Sequence, residues 1–171
     1  ADPQGEDRIQ VKLPLVDNDA EGIWARVSSL DAGKERGSFF RPEIGDEVVI
    51  GFLNDDPRHP IVLGMLHSKK NPAPIPAADD NHIKGIYTRS KIKIEFDDDK
   101  KIVTIETPGK QSAVIDDDAG KITLKDKNNN SIEMSDAGIT LKSGKDIILD
   151  ATGDIKMKAV NVEIKASAQL K

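Results

Sequence analysis

Residues 131–165 read SIEMSDAGITLKSGKDIILDATGDIKMKAVNVEIK. Two apolar residues stand at i and i+2, a polar turn follows, and the unit returns. The pairs are Ile132/Met134, Ile139/Leu141, Ile147/Leu149, Ile155/Met157 and Val162/Ile164, with first members stepping by 7, 8, 8 and 7 residues. An i, i+2 pair places both side chains on one face of a strand. So short a strand cannot bury that face alone, and the units must stack on others.

Upstream the unit is looser. Ile102/Ile105 (slightly stretched), Ala113/Ile115 and Ile122/Leu124 continue the pattern with longer turns. These carry the runs Asp97–Asp99, Asp116–Asp118 and Asn128–Asn130. The expectation is hairpins or a meander over about 91–125 and a regular prism over about 131–171. One strand plus one corner makes a single face of a triangular section. Two architectures fit that unit. One chain could coil on itself as a solenoid, or three chains could wind around one axis. A single chain has fewer than two coils after Ile132, below what a solenoid needs. The three-chain form is therefore expected. Its core would be Ile132, Met134, Ile139, Leu141, Ile147, Leu149, Ile155, Met157, Val162 and Ile164.

Composition divides the 171 residues in the same place. All six aromatics precede residue 97, as do eight of the nine prolines. A narrow interior that admits only Ile, Leu, Val and Met explains the absence of aromatics downstream. Residues 1–81 hold 9 Lys and Arg against 15 Asp and Glu; residues 82–171 hold 16 against 15. An acidic first part argues against a nucleic-acid groove, which needs clustered cations. There is no cysteine, hence no disulfide and no thiolate metal site. No 18-residue apolar run and no signal peptide are visible. The start Ala1-Asp2-Pro3, without Met, is expected of a fragment or of a scar left by cloning.

Residues 8–66 alternate as short strands do. Arg8-Ile9-Gln10-Val11-Lys12-Leu13 has strict period two, and Ile23–Val27 is a second candidate. Glu47–Leu53 and Ile61–Leu66 are more continuously apolar, as in strands covered on both sides. Asn54–Pro60 between them is a strong turn. About five strands in so short a stretch predict a small barrel. The division expected is a barrel at 1–68, a Pro-rich spacer at 69–81 and a needle at 82–171.

The ordered set Arg8-Ile-Gln-Val-Lys-Leu-Pro14, Trp24–Val27, Ala32–Phe40, Pro42–Val49, Gly51-Phe52 and Asp56–Gly64 resembles the VgrG and phage baseplate spike family, baseplate protein V-like members included. The repeat region is similar to the needle that follows in that family. Two positions depart: Asp7 stands where members often have Gly, and Leu15 where they often have an aromatic. The resemblance implies an all-β chain, an OB-like barrel followed by an intertwined triple-stranded β-helix. It implies a structural central spike of a contractile injection apparatus (type VI secretion, phage tail or related particle). Such a spike punctures a target envelope. It also implies a homotrimer, a PAAR-type tip protein at the C-terminal end, a baseplate or tube hub on the N-terminal side, and effector cargo. Assembly would be in the bacterial cytoplasm or the particle, followed by secretion or injection. Val162, Ile164 and Leu170 would form the tip-docking face.

Other readings have less support. An OB-like barrel can bind carbohydrate or nucleic acid, but Phe39, Phe40 and Phe52 are expected in the barrel core or a subunit interface, and Trp24 in the core. His59, His67 and His82 form no His-x-His pair. The Asp runs lack the ligand spacing of a calcium loop and read as solvated turns. No nucleophile elbow or phosphate loop is present. No catalytic, cofactor-binding or metal residue is expected, and no enzyme.

Overall fold

The computed structural model describes residues 2–14 and 21–167. Leu15, one of the two family departures, lies outside them. The chain forms two compact units, 1–81 and 82–171. The stretch 69–81 falls in the first, where Asn71 Nδ2 donates to the Gly45 carbonyl at 3.2 Å.

In the first unit, β1 (Arg8–Val11), β2 (Ile23–Val27), β5 (Glu47–Phe52) and β6 (Pro60–Leu66) form one sheet in the order β1-β2-β6-β5. A separate hairpin pairs β3 (Ala32–Gly33) with β4 (Arg36–Gly37). β2 and β6 run parallel; the other pairs in the sheet are antiparallel. Among the described residues the buried hydrophobic core is Val11, Ala25 and Val62, with Ile9, Val27, Val48 and Ile50 packed around it. Alternation explains this set, since Ile9 and Val11 share one face of β1 and Val48 and Ile50 one face of β5. A bulge between Val49 and Ile50 inserts Leu63 into β6. It turns the strand by one residue.

Two family motifs have visible jobs here. Arg8 donates to Asp2 (Nη2 to Oδ1, 2.8 Å), and its guanidinium lies 5.9 Å from the Trp24 ring. Trp24 is thus half-buried beneath a cation rather than inside the core, a correction to the expectation. Asp7 has φ of 58°, a left-handed conformation that glycine adopts most easily and Asp tolerates. Its carboxylate accepts from Arg41 Nη2 at 2.6 Å, a contact glycine could not make. In the Asp56–Pro60 turn, Arg58 donates to Asp56 from its backbone N–H and its guanidinium. The guanidinium bond holds the Asp56 carboxyl down to about 2.

The second unit is one antiparallel meander. It comprises β7 (Ile83–Tyr87), β8 (Lys93–Asp97), β9 (Ile102–Glu106), β10 (Ser112–Asp116), β11 (Lys121–Lys125), β12 (Ser131–Ser135) and β13 (Gly138–Lys142), hydrogen-bonded in chain order. The meander therefore reaches from Ile83 through the expected 91–125 stretch and on to Lys142. Residues 143–167 carry no strand ladder within the described chain.

The strands recur every 19 residues: β7, β9 and β11 start at 83, 102 and 121, and β8, β10 and β12 at 93, 112 and 131. The turns recur with them. Thr88–Ile92, Thr107–Gln111 and Asp126–Asn130 each close with the first N–H donating to the fifth carbonyl and the fourth N–H to the first. Their fourth residues, Lys91, Lys110 and Asn129, all have φ near 65°. On the opposite margin, Asp97 Oδ1 accepts from Lys100 N (3.0 Å) and Asp116 Oδ1 from Ala119 N (2.9 Å). An Asp side chain that bonds its own backbone ahead is a turn former. The first aspartate of each run is thereby assigned to turn chemistry.

Candidate functional site

The register of the meander sorts its side chains into two unlike faces. Residues paired across antiparallel strands share a face. One row runs Ile86, Ile94, Ile105, Ala113, Leu124, Ile132, Leu141 across all seven strands. The next row runs Lys84, Phe96, Val103, Ile115, Ile122, Met134, Ile139. Only Lys84 is polar, and it pairs with Asp98 at the margin. The register corrects one pair: Val103, not Ile102, is the partner of Ile105. Ile102 stands opposite Asp97 and Asp116 on the reverse face, which is why the sequence pair looked stretched.

The apolar face is bare in the single chain. Ile139 is 68% exposed and Leu141 55%, and the inner strands are only half-covered. Seven strands about 4.8 Å apart, each of five residues rising about 3.4 Å, make a face of roughly 29 by 17 Å. That is at the upper end of what a monomer leaves open. Ala113 is the smallest member of its row. It lies in a groove of about 530 Å³ also lined by Ile105, Leu124, Ile132, Leu141 and Ile147.

Ile147 reaches the groove because the chain bends after β13. Asn130 Oδ1 accepts from Ser143 Oγ (3.1 Å) and from Gly144 N (3.0 Å), while its amide donates to Asp126 Oδ2 (2.9 Å). Beyond it, Leu149, Ile155, Met157, Val162 and Ile164 are all more than half exposed. Their polar neighbours alternate with them: Lys156 pairs with Asp154 at 3.1 Å and Lys165 with Glu163 at 2.8 Å. An i, i+2 ion pair across an intervening Ile sets charge on one side and apolar groups on the other.

Of the ten residues expected in a trimer core, the fold brings Ile132, Met134, Ile139 and Leu141 together as neighbours on β12 and β13, with Ile147 at their groove. The other five lie in 148–167 without intrachain cover from a strand ladder. Leu170, expected at the tip, lies outside the described residues. Composition alone missed that β7 and β8 join the same face through Ile86, Ile94 and Phe96. The signal was there: the 19-residue spacing extends backwards from Ile122 to Val103 and Lys84. Phe39 and Phe40 belong to no core either. Both are exposed, Phe39 at 75% with the Arg41 guanidinium 5.5 Å from its ring. This removes the barrel-core reading for them.

The reverse face of the meander is mostly polar, with Ile83, Ile102 and Val114 as its apolar members. Lys93 lies 3.3 Å from Glu95 and 3.7 Å from Glu106, and Lys121 lies 2.8 Å from Glu133. Pairs of this kind contribute little each but keep the face in water. The Tyr87 hydroxyl donates to Glu95, and this bond first, then Lys93, holds Glu95 below the usual carboxylate range. Burial, reinforced by Glu95, pushes the phenol up to about 12.

Tyr87 is the single tyrosine, so its phenolate absorbance reports this site alone. A folded pKa above the unfolded value near 10 means the folded state keeps its proton longer. The stabilisation is complete below pH about 10 and is lost as pH rises through 12. Titration at 295 nm should thus show no phenolate at pH 10.5 in the native protein. Glu95→Gln should bring the midpoint down; an unchanged midpoint contradicts the assigned contact.

Among the described residues no group of three or more His, Asp or Glu gathers to hold a metal. The arrangement offers an assembly surface: one continuous apolar face, a polar reverse, and margins of turns.

Comparison with known proteins agrees with this geometry. Residues 1–67 match the Type VI secretion system/phage-baseplate injector OB domain. Residues 101–169 match the phage baseplate V C-terminal trimerisation domain, the region of the apolar face and its continuation. Among curated proteins, the type VI secretion system spike protein VgrG3 of Vibrio cholerae is 35% identical over 88 residues, 45% of this chain and 9% of that protein. The spike protein VgrG1a of Pseudomonas aeruginosa is 36% identical over 73 residues, 43% of this chain and 11% of that protein. The actin cross-linking toxin VgrG1 of Vibrio cholerae is 34% identical over 83 residues, 42% of this chain and 8% of that protein. The chain thus spans about a tenth of the length of these relatives.

Proposed function

We propose that this chain, which belongs to the family of type VI secretion and phage-baseplate injector spikes, trimerises into the central spike of a contractile injection apparatus. The observation that carries the proposal is the apolar face of β7–β13, exposed in one chain and continued by the i, i+2 pairs to Ile164. Three such faces turned toward one axis would bury each other and leave the Lys- and Glu-rich reverse faces in water. Winding three chains removes lateral sheet edges. Backbone ladders stacked along an axis resist load along it, as puncturing requires.

The role is mechanical rather than enzymatic on this reading. The OB unit would face a baseplate or tube hub, and the far end, near Val162 and Ile164, would dock a separate cone-shaped tip protein. Effectors would travel on the assembled particle. It would be assembled inside the producing cell or particle and leave it on contraction of the sheath. The test is release from cells encoding the apparatus. The full chain should reach the medium together with the tip protein only when the sheath can contract. A chain lacking 162–171 should remain trimeric and lose the tip protein. Equal release from sheath-deficient cells would overturn the spike reading. A tip protein that still accompanies the shortened chain would place docking elsewhere.

A further inference from the structure

The two turn margins of the meander carry opposite charge. The turns Thr88–Ile92, Thr107–Gln111 and Asp126–Asn130 hold four cations (Arg89, Lys91, Lys110, Lys127) and one carboxylate, Asp126. The opposite turns, 97–101, 116–120 and 135–138, hold seven carboxylates, in two Asp runs and Asp136, against Lys100 and Lys101. Those two lysines are already engaged within the chain, Lys100 with Asp97 at 3.6 Å and Lys101 with Asp118 at 2.6 Å, and Lys84 of β7 pairs with Asp98, which leaves Asp99, Asp117 and Asp136 without an ion pair among the described residues. On the basic margin, Lys91 and Lys127 make no ion pair among the described residues, and Lys110 lies 3.2 Å from Glu106.

A three-fold ring is closed by heterologous contacts, so each copy presents one margin to its neighbour's other margin. With the apolar faces inward and the strands crossing the axis, the turn rows become the corners of a prism. The copies of a closed ring stand at one height, so strands tilted to drop about one strand spacing, about 4.8 Å, across the face level a basic turn with an acidic one. We propose that the basic turn margin of one copy docks on the acidic turn margin of the next, so that charge sets the direction in which the ring closes. The occupant is a second copy of this chain. The inference rests on the trimer reading and adds which edges meet. Apolar faces alone are indifferent to direction; opposed margins repel a copy that arrives reversed, and steer a correct one.

Two triple variants test it: Lys91→Glu/Lys110→Glu/Lys127→Glu and Asp99→Lys/Asp117→Lys/Asp136→Lys, one change per turn. The readout is the rate at which trimer mass returns after dilution from denaturant. Each triple should slow assembly by about tenfold or more at about 20 mM salt, and the difference should shrink at about 0.5 M as screening shortens. The chain carrying all six changes exchanges the margins and should assemble within about twofold of the parent. A trimeric parent with triples as fast as itself, or with a six-change chain as slow as the triples, overturns the margin pairing alone. A parent that is not trimeric overturns the assembly reading and the pairing with it.

Discussion

Leu149→Asp should abolish the assembled state. In one chain Leu149 is 69% exposed, and a carboxylate there would lie in water at no cost. In a three-fold core the same change sets three carboxylates in one apolar layer. Each would be desolvated beside two like charges, at several kcal/mol per ion. That total is comparable with the roughly 5–15 kcal/mol by which folded proteins are stable. The trimer mass should be lost at pH 7. Ile148→Asp is the control, because its neighbour position alternates to the other side of an extended chain and it is 81% exposed. That variant should assemble as the parent does. If both variants assemble alike, the alternation assigned to 147–149 is wrong.

Ala25→Asp should unfold the first unit. Ala25 has no exposure and stands opposite Ile9 in the β1–β2 register. A carboxylate there has no cation within the Val11, Val27 and Val62 cluster. It would cost at least about 3 kcal/mol at neutral pH. Burial would raise its folded pKa above the unfolded value near 3.9. The folded form is then favoured below that value, and its stability falls as pH rises through the folded pKa. Trp24 is the single tryptophan and lies on the same strand, so its emission reads this unit alone. At pH 7 the emission should be that of a solvated indole, with part of the native signal regained near pH 4. Native emission at pH 7 would show that the cluster is not the core of this unit.

The i, i+2 pairs made the strands of the second unit legible, because a period of two is unambiguous where apolar and polar residues alternate. They also made its need for partners legible, because a five-residue strand has one apolar face and nothing in its own sequence to cover it. The break near residue 81 was readable from where the proline run ends at Pro76 and the acidic excess stops, although the aromatics continue to Phe96. What resisted reading was register. Ile102 and Val103 are both apolar and adjacent, and the strand places Val103 with Ile105, opposite Phe96 and Ile115, while Ile102 stands opposite Asp97 and Asp116. The 19-residue period was harder to see than the 8-residue one because its turns keep a hydrogen-bonding pattern while most side chains change: Thr88 and Lys91 recur as Thr107 and Lys110, but Asp126 and Asn129 replace them in the third turn. Trp24, Phe39 and Phe40 misled for a different reason. Aromatics are core residues on average, but an Arg beside each of two rings, Arg8 and Arg41, gives a surface ring a favourable neighbour. No periodicity encodes that choice.

The central claim is that the apolar face of 82–167 is covered by two further copies of the chain. The most direct measurement is the solution mass of the intact protein by light scattering across a dilution series. The account predicts three times 18.6 kDa at every concentration, with no monomer emerging. A folded species of 18.6 kDa that keeps the Tyr87 titration of the native sheet would contradict it.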